Sequence, residues 1–167
     1  YDIRGIWNED ITEEVTYYIG RAYATKLLSL KKNKMIVGYD NRLSSPIIEK
    51  NLVKGLTDGG VDVVRLGLVT TPMYYYAWDK LNIHCGIMIT ASHNPKEYNG
   101  FKMSYNGIHN CFGNEVAELY YIILNGIYSK GNGSITDANI KEDYIKMINS
   151  HINMGSNKLK LIYDCGN

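Results

Sequence analysis

The sequence has almost no excess charge and few cysteines, and each shortage excludes a class of protein. Lys and Arg number 18 against 17 Asp and Glu, a formal net charge of +1, so nothing favours nucleic acid or an anionic membrane as partner. No apolar run is long enough to span a membrane, and no signal-peptide pattern opens the chain. The three cysteines, Cys85, Cys111 and Cys165, form no C-x-x-C pair, so we expect a reducing, cytoplasmic setting.

Several motifs of familiar sites are also missing. The chain contains neither GxGxxG nor GxxxxGK[ST], so it has neither the dinucleotide loop nor the Walker phosphate loop. The G-x-S-x-G nucleophile elbow of the α/β-hydrolases is absent as well. His84, His109 and His151 have no ligand-like spacing to other histidines or carboxylates. We therefore expect no metal site that is closed within this chain.

What the sequence does contain is an alternation of short apolar runs with helical patterns. Its 167 residues suffice for one domain with its own core. The patterns predict strands at residues 35–40, 61–67, 86–90, 100–104 and 158–167. They predict helices at residues 12–30, 44–60, 70–82, 114–126 and 139–151, the second capped by Ser45. Strands that alternate with helices indicate an α/β layer architecture.

The end of the chain has a different character. Residues 129–139 are polar and contain glycine, which predicts a linker. The last predicted strand reaches a glycine turn with no element after it, so we expect a second domain to begin there. The predicted division is a first domain at 1–130, a linker and helix at 131–157, and the first strand of a second domain at 158–167.

Polar loops follow three of the predicted strands. They are "YDNR" (39–42), "TTP" (70–72) and "ASHNP" (91–95). Because ligands of α/β sheets bind at the carboxyl ends of the strands, we expect these loops to converge at one edge. Each loop taken alone is also what an ordinary turn contains.

The pair Ser92-His93 admits two interpretations. A serine hydroxyl becomes a nucleophile only when a neighbouring group takes its proton or stabilises its charged products. Alternatively, Ser92 and Asn94 make only side-chain to backbone bonds in a turn that Pro95 closes. Residue type alone favours the second interpretation.

Three basic residues are similarly ambiguous. Lys102 is either a solvated lysine on an edge strand or a general acid/base or phosphate partner near other cations. Arg4, which a glycine follows, is either a surface charge or a bidentate anion clamp. Arg42 lies just before a predicted helix N-terminus, where anions are favoured.

Five stretches resemble, in order, the amino-terminal part of the α-D-phosphohexomutases. They are "YDIRG", "VGYDNRLSSP", "GVDVVRLGLVTTP", "GIMITASHNPKEYNGFKM" and "LIYDCGN". The resemblance covers essentially the whole chain, and TASHNP with the downstream NGFK is its most specific part. "YDIRG" and "KEYNGFK" look like the phosphomannomutase/phosphoglucomutase branch. The resemblance implies the first of four domains, a three-layer α/β/α domain with a mostly parallel mixed sheet flanked by helices.

The activity that this resemblance implies is intramolecular phosphoryl transfer, an isomerase reaction. The enzyme would interconvert the 1- and 6-phosphates of glucose or mannose through a bisphosphorylated sugar. Mg²⁺ on an oxygen of the phosphorylated Ser92, and glucose 1,6-bisphosphate as activator, are the implied cofactors. The D-x-D-x-D-R magnesium loop and the sugar-reading and phosphate-binding loops of the later domains do not occur here. The chain would then be inactive by itself, and its parent a monomer or dimer.

The resemblance also implies roles for individual residues. Ser92 would carry the phosphoryl group, and Lys102 would be the general acid/base near the reacting hydroxyl. Arg4 would contact the phosphoserine, and His93 would assist at the transfer site. The remaining residues implied to bind substrate or phosphate are Asn94, which would shape the loop, and Arg42.

Other functions stay open from the sequence. Tyr39 departs from the family pattern, since many relatives carry a basic residue there. A phosphoglucosamine mutase or another phosphosugar mutase would share most of these motifs. A non-catalytic relative that binds sugar phosphates would keep Ser92 and Lys102 only as remnants, and a serine hydrolase is a more distant alternative.

Overall fold

The computed structural model describes residues 3–107, 109–153, 155–156 and 158–164. Within those ranges the strands are β1 (Ile3–Ile6), β2 (Lys34–Tyr39), β3 (Asp62–Leu68), β4 (Gly86–Ile89), β5 (Tyr98–Ser104) and β6 (Ile135–Asp137). The helices are α1 (Glu13–Ser29), α2 (Ser45–Asp58), α3 (Thr71–Leu81), α4 (Asn114–Leu124) and α5 (Lys141–His151). No described helix combines the length and the apolarity that crossing a bilayer demands.

The strands form one mixed sheet in the order β1-β5-β4-β2-β3-β6. Four neighbouring strands, β4, β2, β3 and β6, are parallel to one another. β5 runs antiparallel to both of its neighbours, β4 and β1. This arrangement confirms the prediction of a mostly parallel mixed sheet.

Both faces of the sheet are covered, because the central strands are apolar on both sides. Val37 of β2 packs into a core that α1, α2 and α4 cover, whereas its neighbour Ile36 packs into a second core under α3. Neither side chain is exposed to solvent. A fully buried side chain of this size contributes about 1.5–3 kcal/mol, so β2 holds the two layers of helices to the sheet. The predicted α/β/α layering is therefore confirmed.

Helices α1 and α2 cross at two glycines. An added Cβ at Gly20 would overlap the carbonyl oxygen of Leu52, and one at Gly55 would overlap the carbonyl oxygen of Tyr17. The two backbones therefore lie closer together than any side chain would permit. Because α2 begins directly after the loop that follows β2, this crossing also fixes where that loop lies.

Two strands were not predicted from the sequence. β1 has four residues, one an arginine and one a glycine, and β6 has three residues that are all exposed. β6 lies within the stretch that was predicted to be a linker, and it pairs in parallel with β3. Such short segments show no alternation of apolar and polar residues, so only their backbone pairing defines them.

The last predicted strand is not observed. Residues 158–164 form neither helix nor strand, and residues 165–167, which include Cys165, lie outside the described residues. A strand forms only when its backbone groups pair with a neighbour, and the described part of the chain gives this segment no such neighbour. The assignment of residues 158–167 to a second domain stays a prediction.

We predict that Gly55→Ala lowers the free energy of unfolding by about 1–3 kcal/mol, the usual cost of forcing extra atoms into a packed contact. The measurement is urea denaturation followed by circular dichroism. Alanine is the better helix former by about 1 kcal/mol, so a net loss isolates the contact with Tyr17. Gly155→Ala is the control, because a Cβ there meets nothing within 4 Å. Equal stabilities for the two variants would contradict the close crossing.

Candidate active site

The candidate site lies at the carboxyl edge of the sheet, where β2 and β4 are neighbours. The chain leaves β2 through α2 toward β3, and it leaves β4 toward β5 on the other side. Loops that diverge in this way leave a crevice between them, which is where open α/β sheets bind ligands. The loop after β2 begins at Asp40, and the loop after β4, here called the serine loop, spans residues 90–97.

A cleft of about 640 Å³ separates these two loops. It is lined by Asp40, Asn41, Arg42, Leu43, Ser92, Asn94, Lys96 and Glu97. The predicted convergence therefore holds for "YDNR" and "ASHNP". The "TTP" loop instead lines a neighbouring cleft of about 470 Å³, which shares Asp40 and Asn41 with the first.

Ser92 is exposed and adopts an unusual backbone conformation. Its φ of 58° lies in the left-handed region, which costs a residue with a Cβ about 1–2 kcal/mol. The amide N–H of Ser92 donates to Thr90 Oγ1 at 2.9 Å, and that of Asn94 donates to the carbonyl of Ala91 at 3.1 Å. These two bonds form a tight turn that directs the serine away from the sheet.

His93 lies beside the serine hydroxyl. Its Nδ1 is 3.3 Å from Ser92 Oγ, and both side chains are exposed. One of the two atoms donates to the other, depending on the ring tautomer. The two side chains are thus in contact, though the distance is long for a hydrogen bond between these groups.

Arg42 makes the most extensive contacts in the site. Its Nε donates to Asp40 Oδ2 at 3.2 Å, and each Nη atom donates to two main-chain carbonyl oxygens. Those oxygens belong to Ser92 at 3.2 Å, Asn94 at 2.7 Å, Pro95 at 2.6 Å and Tyr98 at 2.9 Å. A guanidinium has five N–H groups, so these contacts engage all of them. The geometry thus leaves no donor for the phosphate that the sequence predicts at Arg42.

Asp40 anchors this arginine. Its Oδ1 accepts from the amide of Arg42 at 3.1 Å and from the hydroxyl of Ser45 at 2.8 Å. Ser45 was predicted to cap α2, but Ser44 is the cap residue and neither serine caps through its side chain. The buried amide of Asn99 donates to both hydroxyls, at 2.8 Å to Ser44 and 3.0 Å to Ser45. The site is thereby connected to the start of α2 and to β5.

Arg4 reaches the serine loop from β1. Its Nη1 donates to Asn94 Oδ1 at 2.8 Å, so these two predicted site residues are in contact. Arg4 lies opposite Gly100 in the strand register, and its Cγ is 3.1 Å from where a Cβ of Gly100 would be. A glycine at this position therefore leaves the space that the arginine stem occupies.

Lys102 lies on the same face of the sheet as Arg4. Residues two apart on a strand share a face, so Lys102 points to the side of Gly100 and of Arg4 opposite it. Its neighbours Phe101 and Met103 point into the core on the other face. Lys102 is half-buried. Tyr39, at the end of β2, is also half-buried and packs against the first core.

Sequence reasoning missed several residues that shape the site. Asp40, Thr90 and Asn99 hold the loops, and Lys96 and Glu97 line the cleft. A buried threonine two residues before an exposed serine is compatible with the turn, but nothing in its spacing reveals a bond to the amide of Ser92. In the described part of the chain, no three His, Cys, Asp or Glu side chains come together as metal ligands.

Comparison with known proteins gives consistent matches. A family model described as phosphoglucomutase/phosphomannomutase, alpha/beta/alpha domain I, matches residues 1–126. The chain is 42% identical over 168 residues to a phosphomannomutase/phosphoglucomutase of Pseudomonas syringae and 39% identical over 169 residues to a phosphoglucomutase of Neisseria meningitidis. These alignments cover 100% of this chain and 36% of each relative, so the chain spans little more than a third of their length.

Two further matches bear on fold and on specificity. A crystal structure of a phosphoglucomutase/phosphomannomutase family protein from Burkholderia thailandensis has a TM-score of 0.86 and 33% identity, covering 91% of this chain and 35% of that one. A phosphoglucosamine mutase of Caldicellulosiruptor bescii is 36% identical over 175 residues, which is 99% of this chain and 39% of the relative.

We predict that Thr90→Val speeds hydrogen exchange at the Ser92 amide, because valine keeps the shape but removes the acceptor. The measurement is amide exchange by nuclear magnetic resonance. Losing this hydrogen bond also costs about 0.5–1.5 kcal/mol of stability. Thr90→Ser is the matched control, since it keeps the hydroxyl and should keep the protection. Equally slow exchange at Ser92 in the valine variant would contradict this role of Thr90.

Proposed function

Because the chain belongs to the phosphoglucomutase/phosphomannomutase family, we propose that it forms the phosphoserine-bearing first domain of a phosphohexomutase. The complete enzyme would interconvert the 1- and 6-phosphates of glucose, mannose or both. The observation that carries the proposal is the position of Ser92, exposed in a left-handed turn at the sheet's switch point. An exposed hydroxyl held in an unfavourable backbone conformation is a combination that clusters at active sites.

We propose that Ser92 exchanges one phosphoryl group with the sugar. In the first half-reaction the bond between Ser92 Oγ and phosphorus breaks while a sugar hydroxyl oxygen bonds to phosphorus. The hydroxyl proton leaves to a base, and the serine oxygen recovers a proton when it leaves. The product is a bisphosphorylated sugar, which reorients and returns its other phosphoryl group to Ser92. Such transfers depend on alignment and on charge stabilisation rather than on further covalent steps.

Lys102 and Arg4 are the proposed basic partners of this transfer. Lys102 would take and return the proton of the reacting hydroxyl as a general acid/base. Arg4 would contact the phosphoryl group on Ser92, and its bond to Asn94 Oδ1 supports this because Asn94 is part of the serine loop. His93, next to Ser92 Oγ, would assist at the same position.

The proposed cofactors are Mg²⁺ and glucose 1,6-bisphosphate. The ion would bind a phosphate oxygen on Ser92 and take its other ligands from chain outside these residues. The described residues offer no cluster of three His, Cys, Asp or Glu ligands. Glucose 1,6-bisphosphate would load Ser92 with its phosphoryl group.

The domain division and the setting are proposed with the function. Residues 1–130 would be the first domain, 131–157 the segment that leads out of it, and 158–167 the start of the second domain. β6 joins part of the second segment to the sheet of the first through its pairing with β3. We propose a cytoplasmic enzyme of carbohydrate metabolism that acts on phosphosugars.

Phosphoglucosamine mutase is the second candidate. It is favoured by the 36% identity with the relative from Caldicellulosiruptor bescii. The two candidates separate when the complete protein is offered glucose, mannose and glucosamine 1-phosphates in parallel. A clear preference for glucosamine 1-phosphate would move the assignment to this second activity.

We predict that Ser92 becomes phosphorylated in the complete protein that carries this chain. After incubation with glucose 1,6-bisphosphate and Mg²⁺, mass spectrometry of the peptide containing Ser92 should show one phosphoryl group. Addition of glucose 6-phosphate should remove it, because the sugar accepts that group. Ser92→Ala is the control and should show no modification. An unmodified Ser92 in a folded protein would point to a sugar-phosphate-binding relative without catalysis.

We also predict that the 167-residue chain alone does not convert glucose 1-phosphate into glucose 6-phosphate. The chain covers about a third of its relatives, so groups that align the sugar would be missing. The measurement is a coupled assay for glucose 6-phosphate with the complete protein as positive control. Turnover by the purified chain that disappears in its Ser92→Ala variant would contradict the prediction that the chain is inactive alone.

A further inference from the structure

We infer that Arg42 is a positioning residue for phosphoryl transfer, which holds the serine loop in its reactive conformation without contacting the phosphate. The inference rests on the proposed function of Ser92. It differs from the role predicted from the sequence, where Arg42 binds substrate or phosphate. The difference comes from the contacts of its side chain, which is 12% exposed.

The N–H groups of the Arg42 guanidinium are already occupied. Recognition of a phosphate by arginine uses two parallel N–H groups directed at two oxygens. In this site Nη1 already donates to Pro95 and Tyr98, and Nη2 donates to Ser92 and Asn94. Binding a phosphate would therefore require Arg42 to release carbonyl groups of the loop that carries the nucleophile.

Those bonds also restrain the backbone of Ser92. The left-handed conformation is unfavourable for serine, so surrounding contacts must maintain it. The Thr90 hydroxyl binds the peptide group before Ser92, and Arg42 binds the carbonyl after it. The serine is thus fixed from both sides, and the bonds to Asn94 and Pro95 extend the restraint along the loop.

The bonds of Arg42 also set the direction of the peptide dipoles in the serine loop. The N–H and C=O of a trans peptide point in opposite directions. When Arg42 binds the carbonyls of Ser92 and Pro95, the N–H groups of His93 and Lys96 are turned away from it. Carbonyl oxygens repel a phosphate, whereas successive N–H groups attract one. Arg42 therefore keeps these carbonyl oxygens, which would repel a phosphate, directed at its own guanidinium.

Arg42 can perform this task because it is itself anchored. Asp40 accepts from both the amide and the Nε of Arg42, and Ser45 donates to the same carboxylate. The amide of Asp40 in turn donates to the carbonyl of Ile89, the last residue of β4. The two loops at the switch point are therefore joined through one arginine and one aspartate.

The test compares Arg42→Lys and Arg42→Gln in the complete protein. Lysine keeps the charge, but its single ammonium has three donors and cannot span these acceptors. We expect both variants to lose about a hundredfold in kcat, the order of loss that a displacement of about 1 Å can cause. KM for glucose 1-phosphate should stay within about threefold, since the substrate does not touch Arg42.

Hydrogen exchange of residues 92–98 gives a readout that does not depend on activity. Both Arg42 variants should exchange faster there, while exchange in the buried strand β2 stays slow. Arg65→Lys and Arg65→Gln are the matched controls, because Arg65 makes a two-bond ion pair with Asp137 at the far edge of the sheet. These controls should leave both kcat and loop exchange as in the unmodified protein.

The outcomes separate this inference from the proposed function. Near-normal kcat for Arg42→Lys with a tenfold higher KM for Arg42→Gln would show a phosphate contact and overturn positioning. Unchanged loop exchange in both variants would also overturn it. If neither variant folds, Asp40→Asn is the alternative, because it keeps the arginine and weakens only its anchor. An unchanged kcat and unchanged loop exchange in Asp40→Asn would count against the inference. A complete protein without mutase activity, but with faster loop exchange in the variants, would overturn the proposed function and leave only the structural restraint.

Discussion

The burial of β2 on both faces is the constraint on which the rest of the structure depends. Met35, Ile36 and Val37 are fully buried, and parallel strands flank them on both sides. Parallel neighbours require crossover connections over the faces of the sheet. The chain therefore passes from β2 through α2 to β3 over one face of the sheet. It then passes from β3 through α3 to β4 over the other face. The crevice at the carboxyl edge follows from this path and needs no special residues to create it.

The crevice gains its chemistry from how polar groups are satisfied there. Peptide groups in a loop that is shielded from water must form hydrogen bonds with other protein groups. In this chain one arginine satisfies four carbonyl groups, and a threonine satisfies an amide. Side chains of the surrounding strands and loops thus order the serine loop. Within the described residues, Ser92 Oγ forms a hydrogen bond only with the exposed imidazole of His93. A loop ordered in advance loses less freedom when a reaction begins.

Much of the fold could be predicted because its signals are local. Helices α1 to α5 have apolar residues at helical spacing and strands β2 to β5 contain short apolar runs, so the sequence places them within a few residues. β1 and β6 have none, and only their pairing with β5 and β3 defines them. The residues of the site likewise divide into those with a local sequence signal and those that only distant contacts define. Ser92, His93 and Lys102 stand out by motif, whereas the partners of Arg42 come from residues about fifty positions away, which no local pattern reveals.

Arg42 shows why the residue type at a site is a poor guide to its task. An arginine at the carboxyl edge of an α/β sheet, just before a helix, suggests an anion ligand. The same guanidinium geometry that suits phosphate also suits several carbonyl oxygens of one loop. Which of the two the arginine binds depends on which acceptors are already in place around its N–H groups. Arg4 approaches the loop from β1, and its Nη1 donates to the side chain of Asn94. One arginine can thus order the loop while the other remains the candidate to meet the phosphoryl group.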